Sequence, residues 1–283
     1  MALRLATPPP PPYHIRRHAL GELLRPDGSI DWSPWYLTDE EDMGQGGEQG
    51  QIIALLQASL NAWAREQRWS PTTLIASDNF FAWVEGEPFV QVSPDIYVLD
   101  EPVYTADGKF PGRWEVWRPG QAPPRFAVEI VSSNWKKDYA INPARYDHLG
   151  VHELVLADGD AVTRDLSARG RYPFAVYRRT ADDRLELAYR GPGPAYCAEL
   201  GAYLCFQADS ALGGPRVRVS RDTEGKDIVA TADEQNASLA ASNAALAIDN
   251  AAKDAAIESL AADNATLAAE IAALRARLRD SDK

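Results

Sequence analysis

From about Thr231 to Leu278 the chain carries leucine at seven-residue intervals: Leu239, Leu246, Leu260, Leu267 and Leu274, with Lys253 in the one gap. Three positions ahead of these stand Asn236, Asn243, Asn250, Ile257, Asn264 and Ile271, and Leu278 extends the series. A seven-residue period sustained this far is a coiled-coil seam, with the Leu series at d and the Asn/Ile series at a. Asn at a is tolerated best in a parallel dimer, where amides pair across the axis and set the register at a cost in stability. Of the flanking positions, Glu270 faces Arg275 of a partner favourably, whereas Asp249 faces Asp254 with like charge. Alanine favours the helix but buries little, which leaves the first half of the stalk weak. The expectation for residues 231–283 is a parallel homodimer with both heads at one end. The plain alternative is a single Ala-rich helix.

The head in front of the stalk has ordinary globular composition, 45% hydrophobic and 25% charged within a chain of 283 residues. No apolar run approaches the roughly 20 residues that span a bilayer, so no membrane partner is expected. The proline run at the start (residues 1–12) lacks the charged and apolar regions of a signal peptide. Cys197 and Cys205 fit reduced core thiols better than a disulfide framework or a zinc site. These features point to the cytoplasm. The net charge of −12 repels nucleic acid over most of the surface. Locally the balance reverses: Arg113, Arg118, Arg125, Lys136, Lys137 and Arg145 face only Glu115, Glu129 and Asp138. Either a basic cleft or a mixed-charge surface fits that stretch.

Residues 1–42 read as a proline-rich leader followed by an irregular segment whose Trp32, Trp35 and Tyr36 pack on the main domain. Apolar residues at helical spacing, Ile52, Leu55, Leu56, Leu60 and Trp63, predict a helix over about 48–67. Thr72 to Val84 alternates as a strand, irregular at Ser77-Asp78-Asn79, and Pro94 to Leu99 reads as the next one. Phe126 to Val131 is nearly all apolar, as in a central strand covered on both faces. A short helix from about Pro143 ends at Gly150, a left-handed cap. His152 to Ala157 is another strand, and strands near 172–178, 184–190 and 196–206 suggest an antiparallel meander. The fold class is α/β (α+β), a mixed sheet flanked by helices over residues 43–220, with a linker at 221–230.

The candidate chemistry lies in acids within apolar strands. No Gly-x-Ser-x-Gly turn, P-loop or dinucleotide-binding glycine motif occurs. His14, His18, His148 and His152 lack metal-ligand spacing and read as surface or packing residues. Asp95 opens a strand and Glu129 interrupts another, and an ionised carboxylate there is costly without a partner or a cation. Two such acids on neighbouring strands can share a hard divalent ion. A turn-capping Asp and a lysine-paired Glu would explain the same pattern. Glu48 is either an extra acid or a helix-start residue favoured by the macrodipole. Trp114 to Trp117, in a long 101–124 insertion, either stack on bases or pack the loop.

Three segments taken in order carry a family resemblance: Ser93-Pro-Asp-Ile-Tyr-Val-Leu99, Phe126-Ala-Val-Glu-Ile-Val-Ser-Ser133, and Asp138 followed by Tyr146-Asp-His-Leu-Gly-Val-His-Glu-Leu-Val-Leu-Ala-Asp158. Over about residues 45–210 the chain resembles the Uma2 family of restriction-endonuclease-like proteins, within the PD-(D/E)XK nuclease superfamily. The resemblance implies a nuclease-like mixed sheet, a helix from Asp138 to Leu149, DNA as the substrate, Mg²⁺ (or Mn²⁺) as the cofactor, and Asp95 and Glu129 as its ligands. It also implies a catalytic lysine four residues after Asp138, where this chain has Asn142. Lys136 and Lys137 are the nearby replacements. A catalytically degenerate nuclease fold that binds DNA or a protein is the rival reading.

Overall fold

The computed structural model describes residues 16, 20–37, 47–209 and 214–281. The proline run, His14, His18 and most of the Met43–Gly47 breaker lie outside them. The chain divides into two compact units, Met1–Thr231 and Ala232–Lys283.

In the first unit two single 3-10 turns, Gly21–Leu23 and Ser33–Trp35, precede helix α1 (Gly47–Glu66), whose apolar face (Ile53, Leu56, Leu60, Trp63) is buried. The Trp63 indole N–H donates to the Leu200 carbonyl at 2.8 Å, which satisfies the one polar atom that the burial would strand. Strands β1 (Leu74–Ala76), β2 (Phe80–Ala82), β3 (Gln91–Val92), β4 (Ile96–Leu99), β5 (Arg113–Glu115) and β6 (Phe126–Ile130) follow. Next come helices α2 (Trp135–Ala140) and α3 (Asn142–Leu149), strand β7 (Glu153–Ala157) and the single turn α4 (Asp160–Thr163). Strands β8 (Phe174–Arg179), β9 (Leu185–Gly191), β10 (Ala195–Cys197), β11 (Ala202–Asp209) and β12 (Gly214–Ser220) complete the unit.

The main sheet has the order β1-β4-β6-β7-β8-β9. Only the β6–β7 pair is parallel, and helices α2 and α3 make that crossover. The mixed sheet flanked by helices is the expected class. Strand β6 lies in the interior and all five of its residues are buried, which explains its near-continuous apolar sequence. The strand pleat sends alternate residues to opposite faces. Phe126, Val128 and Ile130 pack with α1 and the β10–β12 sheet. Ala127 points the other way, with Tyr97 and Leu99 of β4, towards Tyr146 and Leu149 of α3, the β2–β3–β5 sheet and Trp32 and Trp35.

Several details correct, decide or bear out the sequence reading. The strand expected over 72–84 is two strands in different sheets, separated where Asp78 takes a positive φ of 56°. The 101–124 insertion contributes β5, and Trp114 is fully buried, donating from its indole to the Ala122 carbonyl at 2.8 Å. It is therefore a packing residue. The 196–206 strand is the hairpin β10–β11, turned at Gly201, and it belongs to a separate three-stranded sheet. The expected helix from Asp138 to Leu149 is interrupted at Ile141, because Pro143 restarts a helix at its first turn. Within residues 221–230, expected to be a linker, the chain folds back on β12: Val229 is buried, and its N–H donates to the Val219 carbonyl at 2.9 Å. Both cysteines are buried free thiols.

The second unit is one helix, α5 (Ala232–Ser281), whose described side chains are exposed along its length. Among the described residues no helix is long and apolar enough to cross a membrane.

Gly150 ends α3 with φ 98°, its N–H donating to the Tyr146 carbonyl at 3.1 Å. A Cβ there would be strained in the backbone whatever room Arg16 leaves it. Gly150→Ala should lower the stability of the head by about 1–2 kcal/mol, measured as a shift in urea midpoint at unchanged slope.

Candidate active site

The site forms where β4 begins and β6 ends. The antiparallel register pairs Ile96 with Val128, which sets Asp95 opposite Glu129. Asp95 shares its face parity with Tyr97, and Glu129 with Ala127, so both carboxylates lie on the α3 side of the sheet. Both are largely buried, at 8% and 9% exposure. Asp95 Oδ2 accepts the Ile130 N–H at 2.7 Å, and the Gln49 side-chain amide donates to both Asp95 oxygens at 3.1 and 3.2 Å. Glu129 Oε1 accepts the Tyr146 hydroxyl at 2.5 Å and the Asn142 amide at 3.3 Å. Asn142 and Tyr146, four residues apart on α3, present one face to Glu129.

A third acid closes the group. Asp138 of α2 is 3% exposed. Its Oδ2 accepts from the Ser132 N–H at 3.0 Å and the Ser132 hydroxyl at 3.3 Å. The Asn142 amide approaches its other oxygen at 3.5 Å. Asn142, itself 3% exposed, thus lies between Glu129 and Asp138.

The electrostatics follow from burial. Desolvation pushes Asp95 up to about 6, against partial relief from the Ile130 and Gln49 hydrogen bonds. Desolvation and the neighbouring Asp95 charge raise Glu129 well above the usual carboxylate range. Desolvation also raises Asp138. Lys137 is the cation whose field lowers all three. Among the described residues neither Asp95 nor Glu129 is in an ion pair. Lys136 is exposed, and its ammonium sits 6.0 Å from the Trp135 ring centre. Of the two candidate lysines, Lys137 is the one joined electrostatically to the acids.

The remaining candidates lie elsewhere. Glu48 is exposed, 3.6 Å from Arg216, and its neighbour Gln49 reaches Asp95 instead. His148 is fully buried among Trp32, Trp35 and Trp83. His152 is exposed beside Glu199. The arginines of the locally basic stretch do not form a free basic face. Arg113 and Arg118 pair with Glu115, Arg125 pairs with Asp100 and Glu199, and Arg145 is buried, its guanidinium donating to the Tyr36 carbonyl. Sequence reasoning passed over Gln49 and the roles of Tyr146 and Asp138 in the site. The i, i+4 spacing from Asn142 signals Tyr146. Nothing in the sequence signals Gln49, because its contact joins elements far apart in the chain.

Among the described residues, no group of three or more His, Cys, Asp or Glu side chains is arranged to hold a metal ion. Two facing, desolvated carboxylates nonetheless fit Mg²⁺, which commonly binds through one or two carboxylates and takes waters and substrate phosphate oxygens for the rest.

The family model Uma2, described as "Putative restriction endonuclease", matches residues 40–194, more than half of the chain. The chain belongs to the Uma2 family. Its matched region spans Asp95, Glu129, Asp138, Asn142 and Tyr146. A solved structure from Anabaena variabilis ATCC 29413, titled as a putative nuclease belonging to DUF820, is 16% identical. It covers 56% of this chain and 75% of its own, with a TM-score of 0.37. No curated protein matches the chain.

The raised acids make a sign-specific prediction for this Uma2 protein. Folding holds a proton on Asp95 up to about 6, whereas the unfolded carboxyl releases it near 3.8. Between those values the folded state binds more protons, so stability falls as pH rises through the window and stays lower above it. Without divalent ions, Asp95→Asn should raise stability at pH 8 by about 1–3 kcal/mol and flatten the pH dependence of the thermal midpoint. An unchanged or lower midpoint at pH 8 would show that the ionised carboxylate is well accommodated.

Proposed function

We propose that residues 43–220 form a Mg²⁺-dependent (or Mn²⁺-dependent) endonuclease domain that hydrolyses DNA phosphodiester bonds in the cytoplasm. The observation that carries this reading is the facing pair Asp95 and Glu129, buried without an ion pair among the described residues. Carboxylates desolvated in this way are characteristic of functional sites, where the charge is used. A bound ion would supply the Lewis acid that polarises the phosphodiester. The chain's own residues do the rest. Gln49 and the Ile130 N–H fix the orientation of Asp95. Tyr146 and Asn142 fix Glu129, and Asp138 holds the loop after β6 through Ser132. Lys137 replaces the lysine absent at position 142 and stabilises negative charge as it develops on the phosphate.

Asn142 favours a second reading. A neutral amide, buried between Glu129 and Asp138, fills the position where the family resemblance calls for a lysine. On that reading the fold binds DNA or a protein partner without turning it over. In either case α5 pairs two copies as a parallel homodimer, which supplies two sites, as cutting both strands of a duplex requires.

A plasmid-nicking assay with Mg²⁺ or Mn²⁺ decides between the readings. Asp95→Ala and Glu129→Ala should each abolish cleavage. Lys137→Ala should reduce it about a hundredfold, and Lys136→Ala should leave it nearly unchanged. Cleavage that survives both acid substitutions defeats the nuclease assignment. A wild-type protein that binds DNA without cutting it, and gains cleavage with Asn142→Lys, establishes the second reading.

A further inference from the structure

The seam of α5 leaves large apolar side chains in water: Ile257 is 63% exposed, Leu260 62%, Leu267 54%, Ile271 50% and Leu274 57%. Their heptad spacing selects a second copy of the same helix as the occupant. Parallel, in-register pairing sets each seam Asn beside its twin, amide to amide, and each Leu beside its twin. Antiparallel pairing sets a against d. Asn243 would then face Leu267, Asn250 would face Leu260 and Asn264 would face Leu246, which buries each amide against hydrocarbon.

Lys253 stands alone as a charge in the d series. Its ammonium lies 2.5 Å from Asp249 of its own helix. In a parallel pair, a d side chain packs beside the e position of the other helix, which here is Asp254. We propose that Lys253 seats between its own Asp249 and Asp254 of the second copy, and that this charged layer fixes the register of the stalk. The inference rests on the reading of α5 as a parallel homodimer. The layer relieves the like-charge approach of Asp249 to Asp254 across the pair. A slip of one heptad in either direction would set Lys253 beside Ala247 or Ala261, with no acid to meet it, and Asn250 beside Asn243 or Ile257. Only the unshifted register gives Lys253 an acid of the second copy in addition to its own Asp249, and Asp249 and Asp254 together offset the approach of the two Lys253 ammoniums at facing d positions.

Within one helix, neighbours at i and i+1 do not face each other, so coupling between positions 253 and 254 reports contact between copies. Sedimentation equilibrium of the full chain should show a dimer, and far-UV circular dichroism should show equal helix in every variant. Asp254→Asn should weaken the dimer about threefold to tenfold while Lys253 is present. In a Lys253→Gln background the same substitution should tighten it, because only the Asp249 repulsion is then relieved. That reversal of sign is the signature of the layer. Tightening in both backgrounds, or no effect in either, overturns the Lys253 seat while a wild-type dimer preserves the pairing. A wild-type monomer or trimer overturns both.

Discussion

The site depends on one electrostatic constraint: two carboxylates sit where water is largely excluded, at the meeting of β4 and β6. Strand β6 must be apolar on both faces to occupy the middle of the sheet, and Glu129 breaks that rule at its fourth residue. The surroundings answer with a set of hydrogen bonds from three directions: a backbone amide and an α1 side chain to Asp95, and two α3 side chains to Glu129. Neutral donors can orient such a pair, yet they leave most of its desolvation cost in place, as the upward shifts of Asp95 and Glu129 record, with the Asp95 charge adding to the shift of Glu129. Stability alone gives no reason to keep this arrangement.

The same constraint explains why the helical crossover is built as it is. The interruption at Ile141 lets α2 offer Lys137 and Asp138 while α3 offers Asn142 and Tyr146. An unbroken helix would place those residues on a single regular spiral. Ser132, in the loop after β6, ties the entry to this crossover through Asp138, so that loop is anchored by the acid that completes the group.

Much of this was legible in the residues. The Pro94 to Leu99 stretch identified β4, the apolar run Phe126 to Val131 identified β6, the acid at the start of the one and the acid inside the other identified Asp95 and Glu129, and Gly150 marked the end of α3. The seven-residue repeat marked the long helix α5. The illegible parts share a physical cause, which is that they rest on contacts distant in sequence. The division of 72–84 between two sheets, the small strands β3 and β5, and the β10–β12 sheet are fixed by partners far along the chain. Gln49 meets Asp95 across 46 positions. The choice between Lys136 and Lys137 depends on the helical phase of α2, which a six-residue segment with no clear apolar face does not declare.

The buried Asn142 has a consequence at the level of the gene. Asparagine and lysine codons differ only in their third base. A position enclosed by Glu129 and Asp138 is therefore one nucleotide substitution away from carrying a positive charge. A single base change there would place an ammonium between the two carboxylates that Asn142 now bridges as a neutral amide.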